Sequence, residues 1–513
     1  MFKKIILLIV LLHVFACQSL DSDSAPNIIL FFVDDLGWQD TSVPFWNKTT
    51  PLNEKYRTPN MERLQEKGVK FTNAYSTPVC SPTRISLITG MNAARHRVTN
   101  WTLHPDKKQP MELNHPTLDF PEWNYNGVTT HDTLKQAALA TPLAQIMKDN
   151  GYYTIHAGKA HFGAKGYPAE DLTNLGFLVN IAGHAAGAPG SYLGTENFGN
   201  EESKTNIWAV PGLEKYHGKP IFLTQALTQE ALLAVEEPLD KGKPFFLYLS
   251  LYGVHTPLMA NEKYIEAYLK RGLSPSEAKY ASMIESMDEA LGSVLDFVDD
   301  KGIEKETVIL FMSDNGGLSA VARGGRKHTH NAPLASGKGS IYEGGIRVPM
   351  MAYWPGVTQR NTIENTPVII EDFFPSLLSI AGINEYETIQ AIDGKDFSDL
   401  LKGSKRKEGN RSLFWHYPNE WGPSGPGIGS FSAVRNGDWK LIYFHEDQHY
   451  ELYNLFHDIS EQNNLALIQP LKVNELAAIL SAYLIRVEAQ MPRDKISQVQ
   501  IPYPSPIKLE TAK

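Results

Sequence analysis

Short, almost wholly apolar runs recur along the chain, separated by polar turns and amphipathic stretches. Residues 27–33 (NIILFFV), 245–251 (FFLYLSL) and 307–313 (TVILFMS) carry scarcely a polar position, as strands buried on both faces of a sheet do. Residues 69–75 and 152–157 read as further strands. Helices are predicted to open at Thr58-Pro59 and Thr141-Pro142, the second closing at Gly151, and to cover 278–296, 372–378 and 471–487. Residues 432–435, 439–443 and 451–455 read as antiparallel strands, with Asn436-Gly437 as the hairpin turn of the first pair. Segments 91–133 and 183–218 show little periodicity and are long for filler. Strands spaced by helices predict an α/β fold, a large, mostly parallel sheet sandwiched by helices. A smaller C-terminal α+β domain follows it. The expected boundaries are 26–384 for the first unit, 385–496 for the second and 497–513 for a tail.

The N-terminus changes this picture. Lys3-Lys4 precede an apolar run over 5–16, too short to span a bilayer and laid out as an export signal over 1–16. Val14-Phe15-Ala16-Cys17 resembles a bacterial lipobox, which implies cleavage before Cys17 and a lipid on its sulfur; an ordinary secretory signal is the alternative. Residues 17–25 then form a small acidic tether. The expected location is the bacterial cell envelope, periplasmic or outer-membrane-anchored, with membrane contact only through the lipid. The net charge of −9 over 513 residues argues against a polyanion-binding surface and against nucleic acid as partner. Anion recognition must be local.

The chemistry gathers where strands end. The run 27–33 ends in Asp34-Asp35, and 307–313 ends in Asp314-Asn315. Adjacent carboxylates repel unless a cation lies between them; the alternative is a turn with Asp as breaker. All four are hard oxygen ligands, and no Cys or His set stands at zinc spacing, so Ca2+ is the first expectation and Mg2+ the second. Lys159 and His161 follow the strand at 152–157, and His255 follows 245–251. Solvated surface and a structural histidine are their plainer readings. One sheet edge gathering all of these is the stronger one, because ligands in such sheets collect at the carboxyl ends of the strands. Cys80, one of two cysteines, opens a helix-like run with Pro82 in its first turn, Ile85 and Ile88 on one face and Gly90 as stop. Free N–H groups at such a start favour an anion, and Arg84 can fork onto one.

Cys80-Ser81-Pro82-Thr83-Arg84 with Gly90 resembles the signature of the type I, formylglycine-dependent sulfatases of the alkaline phosphatase superfamily, among them bacterial carbohydrate sulfatases. Thr83 stands where Ser is commoner. Gly158-Lys159-Ala160-His161 resembles the family's Gly-Lys-Trp-His, with Ala160 for Trp, and residues 337–349 resemble its Lys-x-x-x-x-Glu-Gly-Gly-x-Arg-x-Pro stretch. The resemblance runs from about residue 27 to 466 and implies an alkaline-phosphatase-like fold. It implies that a maturation enzyme oxidises Cys80 to formylglycine (3-oxoalanine), whose hydrate attacks sulfur with help from Asp314. Asp34, Asp35, Asp314, Asn315 and the oxidised Cys80 would hold the metal. Arg84, Lys159 and Lys338 would neutralise the sulfuryl oxygens, His255 would protonate the leaving alkoxide, and His161 would regenerate the aldehyde. Glu343 and Arg347 read as a structural ion pair. A phosphonate or phosphate-ester hydrolase of the same superfamily is the alternative enzyme, and a non-catalytic glycan-binding lipoprotein the alternative class. For the leaving group, Trp101, His104, His184, Arg323, His328 and His416 are the substrate-binding expectations. His115, Trp123, His131, Arg326, His330, Trp415 and Trp421 stand in the same loops. Aromatic faces stack on sugar rings, and His and Arg bond hydroxyls or anions. The expected substrate is a sulfated carbohydrate, with galactose or N-acetylgalactosamine units first.

Overall fold

The computed structural model describes residues 25–201, 206–404 and 411–507. The signal, most of the tether, Cys17 and the last six residues lie outside them. The apolar runs form the centre of one sheet. Its strands are β1 (Asn27–Val33), β2 (Val69–Tyr75), β3 (Tyr153–Gly158), β4 (Val179–Ile181), β5 (Phe245–Ser250), β6 (Thr307–Ser313), β7 (Arg347–Tyr353), β8 (Thr362–Glu364) and β9 (Val368–Ile369). The order is β8-β2-β7-β6-β1-β5-β3-β4, with β9 also on β2. Every pairing is parallel except those of β7, which runs against both β2 and β6.

Alternation along β1 assigns its side chains to two cores. Ile28, Leu30 and Phe32 belong to one, and Ile29, Phe31 and Val33 to the other, as the two-residue period of a strand requires. The helices α1 (Pro59–Lys67), α2 (Cys80–Thr89), α3 (Leu143–Asp149), α4 (Leu223–Asp240), α5 (Pro275–Asp300) and α6 (Phe373–Ile380) flank the sheet. Met61 and Leu64 of α1, with Leu223, Leu227 and Val235 of α4 and Ile284, Leu291 and Val298 of α5, cover one face. Ile85 and Ile88 of α2, Leu143 and Met147 of α3, and Leu377 of α6 cover the other. The sequence reading had missed α4, which lies between the irregular segment and β5, and had treated residues 347–353 as a motif rather than a strand.

A second, antiparallel sheet is built from β10 (Ser412–Tyr417), β11 (Phe431–Asn436), β12 (Trp439–Phe444) and β13 (Tyr450–Asn454), in that order. Its two faces divide as β1 does. Ala433, Ile442 and Tyr453 join the first core, whereas Val434, Leu441 and Leu452 pack with Leu476, Leu480 and Leu484 of α7 (Pro470–Arg486). The small sheet thus continues the core of the large one. Its stretch 418–430 is carried to the edge where the motifs converge: Ile341 N–H donates to the Gly427 carbonyl at 2.9 Å.

Candidate active site

All the motif residues meet at the carboxyl edge of the large sheet. Asp34 and Asp35 leave β1, Lys159 and His161 leave β3, His255 follows β5, and Asp314 and Asn315 leave β6. Cys80 follows the end of β2. Because β7 runs in reverse, its start lies at this same edge, Arg347 opposite Tyr75, and the turn before it delivers Lys338. An antiparallel strand within a parallel sheet is therefore what brings the last cation in.

Charges alternate around Cys80, all of them buried. Lys159 Nζ is 2.5 Å from Asp34 Oδ2, Lys338 Nζ 2.7 Å from Asp35 Oδ1, and Arg84 Nη2 2.9 Å from Asp314 Oδ2. Arg84 Nε also donates to Asp314 at 2.9 Å, and its Nη1 donates to Ser250 Oγ at 2.6 Å and to the Lys159 carbonyl at 3.0 Å. Asn315 Nδ2 donates to Asp35 Oδ1 at 2.7 Å. Three cations thus face three carboxylates. Burial, then Asp314, pushes Asp34 well above the usual carboxylate range. Burial would raise Asp35 too, but Lys338, His255 and Lys159 outweigh it and hold that carboxyl below its ordinary value. Burial pushes the Cys80 thiol up, against the pull of Lys159 and Lys338. A thiol so held is a poor thiolate nucleophile.

Both histidines have defined tautomers. His255 Nδ1 lies 2.7 Å from the Thr256 carbonyl, which only accepts, so Nδ1 carries the proton and the free Nε2 faces Asp35 Oδ2 at 3.7 Å. His161 Nε2 likewise donates to the Thr102 carbonyl at 2.8 Å, leaving a buried Nδ1 without a partner. Burial, reinforced by the lysines, pushes His255 down to about 3 and His161 well below its ordinary value.

The donor set fits a divalent cation. Asp34 Oδ1, Asp35 Oδ2 and Asn315 Oδ1 are buried and have no hydrogen-bond partner, a cost that a cation shared among them would remove. They are hard ligands from two adjacent strand ends. Among the described residues, Asp34, Asp35 and His255 form the acidic and imidazole cluster compact enough to hold an ion.

The substrate-binding expectations divide. Arg323 is not a substrate contact: it is 1% exposed and ion-paired with Asp40 at 3.0 Å and Glu277 at 3.2 Å. Nor is His416, buried in β10 between Ser432 Oγ and the Gln490 carbonyl, each at 2.8 Å. Trp415 and Trp123 are core side chains whose indole N–H groups donate to the Ser76 carbonyl at 2.8 Å and to Glu112 at 3.1 Å. His115 is half-buried and accepts the Leu118 N–H at 3.0 Å, and His330 donates to the Gly324 carbonyl at 2.6 Å. His104, His131 and Arg326 are exposed, and His328 is partly buried against Gly425. His184 is at the site: its carbonyl accepts the His161 N–H at 3.3 Å and its ring Nε2 has no partner. Trp101 adjoins Thr102, and Trp421 lies on Gly339. Two contributors were missed. Ser250 was hidden inside an apolar run, and Thr102 acts through its carbonyl, which no side-chain pattern announces.

Thr83, where Ser is commoner, is bonded into the loop before Cys80. Its hydroxyl accepts the Thr77 N–H at 3.0 Å and lies 2.7 Å from Thr77 Oγ1, tying down the turn that leads into Cys80. Glu343 and Arg347 pair at 3.3 Å, as the sequence reading had them, and Lys440 joins Glu343 at 3.0 Å.

Comparison with known proteins agrees with this geometry. The sulfatase profile matches residues 26–383, and that of the N-sulphoglucosamine sulphohydrolase C-terminal domain matches 337–490. A sulfatase of Formosa agariphila is 29% identical over 98% of this chain and 97% of its own. The N-acetylgalactosamine-6-sulfatase of Mus musculus is 29% identical over 77% of this chain and 69% of its own. The crystal structure of Ps i-CgsB with k-i-k-neocarrahexaose superposes with a TM-score of 0.71 at 25% identity, covering 90% of this chain and 93% of that one. A buried cysteine ringed by three cations and unpartnered carboxylate and amide oxygens, on a chain matched over most of its length, places the protein in the sulfatase family as a sulfuric ester hydrolase.

Proposed function

We propose that the protein removes sulfate from a sulfated carbohydrate, with Cys80 carried as formylglycine and Ca2+, before Mg2+, held by Asp34, Asp35, Asp314 and Asn315. The observation that carries this is the convergence of Arg84, Lys159 and Lys338 on the carboxylates around Cys80. When bound, the cation supplies Lewis-acid polarisation, and the formylglycine hydrate supplies the nucleophile the thiol cannot be. The chain's own residues do the rest. Arg84, fixed by Asp314 and Ser250, and the two lysines, all buried, offset negative charge spreading over the sulfuryl oxygens. His255 turns its free Nε2 inward; the charge of a bound sulfate ester favours its protonation, after which it gives that proton to the leaving alkoxide. His161, with its free Nδ1, is placed to accept the proton of the remaining hydroxyl when sulfate leaves. Asp314 assists the attack.

The carbohydrate reading draws on relatives whose names specify N-acetylgalactosamine-6-sulfate and a complexed neocarrahexaose, so galactose-type units are the first substrates to try. Lipidated Cys17, outside the described residues, would tether the enzyme to the bacterial envelope with the catalytic unit outside the cytoplasm. Cys17→Ser should then move the protein out of the membrane fraction. The chemical test is mass spectrometry of the peptide containing Cys80, from protein made with its maturation enzyme. An aldehyde is expected, and a free thiol in fully active protein contradicts the mechanism. Parallel rates on sulfate and phosphate esters decide between sulfatase and phosphohydrolase specificity, with sulfate expected to be preferred.

A further inference from the structure

Two partly exposed tryptophans, Trp101 and Trp421, stand beside Thr102 and against Gly339, from different halves of the chain, and one buried polar knot fixes the backbone before both. Asn100 Oδ1 accepts the Trp101 N–H at 2.9 Å and the Tyr417 hydroxyl at 2.8 Å. Asn100 Nδ2 donates to Glu112 Oε1 at 2.9 Å and to the Glu420 carbonyl at 3.1 Å. Asn419 Nδ2 reaches the same Glu112 oxygen at 2.8 Å. The backbone just before each tryptophan is thereby tied to a common centre of buried, hydrogen-bonded groups.

Each tryptophan also lies within a residue or two along the chain of a contact to a side chain assigned above to the sulfate. Trp101 packs beside Ala185 and Ala186. The next residue along, Gly187, lies so close to His161 that a Cβ there would come within 2.2 Å of its ring. On the other side, Trp101 precedes Thr102, the acceptor for His161 Nε2. The Trp421 ring lies flush on Gly339, where a Cβ would approach it to 2.0 Å, and the preceding residue is Lys338. Trp123 and Trp415, at 0% and 2% exposed, fill the core. Trp101 and Trp421 are instead only partly buried, at a cost in exposed aromatic area that a purely structural role does not require.

We propose that Trp101 and Trp421 are the aromatic walls of the leaving-group subsite and hold a pyranose ring of the substrate by its C–H face. This rests on the carbohydrate reading above. It is tested by steady-state kinetics on a defined panel of sulfated mono- and disaccharides, with inorganic sulfate as competitive probe of the anion pocket alone. Trp101→Ala and Trp421→Ala are each expected to raise KM for the best saccharide about tenfold. The Ki for inorganic sulfate should stay within about twofold of wild type. Trp421→Phe should restore most of the affinity and Trp421→Leu should not, since only the former keeps an aromatic face. An unchanged KM overturns the inference. So does a Ki for sulfate that rises in step with KM, for Trp421 would then merely prop Lys338. A wild-type enzyme that hydrolyses aryl sulfates and no saccharide of the panel overturns the carbohydrate reading itself, and this subsite with it.

Discussion

Arg323 sits fully buried with its guanidinium 4.0 Å from the centroid of the Tyr280 ring, bonded to Tyr56 and paired with Asp40 and Glu277. A loop arginine beside histidines resembles an anion reader in sequence, but here its charge is already matched. Removing one member of a buried ion cluster leaves the others uncompensated, so Arg323→Ala should cost about 3–5 kcal/mol. Chemical denaturation measures it, and KM of the folded fraction should be unchanged. Glu371 makes the opposite case. Burial, then its neighbour Asp372, pushes its carboxyl up to about 7, and one oxygen has no partner. Between about pH 4.5 and 7 the folded chain holds a proton that the unfolded chain releases, so this group makes stability fall as pH rises through that window. Glu371→Gln, a mimic of the protonated form, should flatten that fall in a series of Tm measurements against pH. An identical slope in the variant would show that Glu371 is ionised when folded.

At the scale of elements, the turn at 337–345 connects the two halves of the molecule. Lys338 N–H donates to the Gly317 carbonyl at 3.1 Å, Gly339 N–H to Pro78 at 2.8 Å, and Gly316 N–H to Gly345 at 2.9 Å. The turn is thus bonded to the loops bearing Asp314 and Cys80. From the second sheet, Lys440 on β12 donates to the Ile341 carbonyl at 2.7 Å and to Glu343 and Glu461 at 3.0 and 2.8 Å, entirely buried. Lys440→Met leaves Glu461 without a cation and Glu343 with Arg347 alone, and should destabilise by about 3–5 kcal/mol. It should also lower kcat/KM, because the turn it holds carries Lys338. Glu461→Gln keeps the hydrogen-bonding shape and should be milder on both counts. Urea midpoints together with kcat/KM for the two variants separate these effects.

For the molecule as a whole, the cation should act on stability as well as on turnover. A ligand bound only by the folded state stabilises by mass action, about 2.7 kcal/mol at a hundred times its Kd. Exhaustive chelation should therefore lower Tm and abolish activity, with Ca2+ restoring both and Mg2+ restoring less. Zinc found at one per chain by elemental analysis would contradict the oxygen-ligand assignment.

Some of this was settled by the sequence alone. Strands β1, β5 and β6 run, to within a residue, over the stretches their apolar runs predicted, because burial on both faces leaves no room for polar positions. The acidic strand ends, the cysteine signature and the paired Lys159 and His161 were legible because each is a local cluster of costly residues. Tertiary structure decided what local pattern does not encode. Residues 412–417 read as loop aromatics, yet they are β10, sharing the first core through Trp415 and Tyr417. Arg323 and His416 became structural, and the backbone before Trp101 and Trp421 was tied together, through partners between 16 and 320 residues away. A side chain's exposure and the charge facing it are properties of chain segments distant in sequence. They exist only once the sheet has brought those segments to one edge.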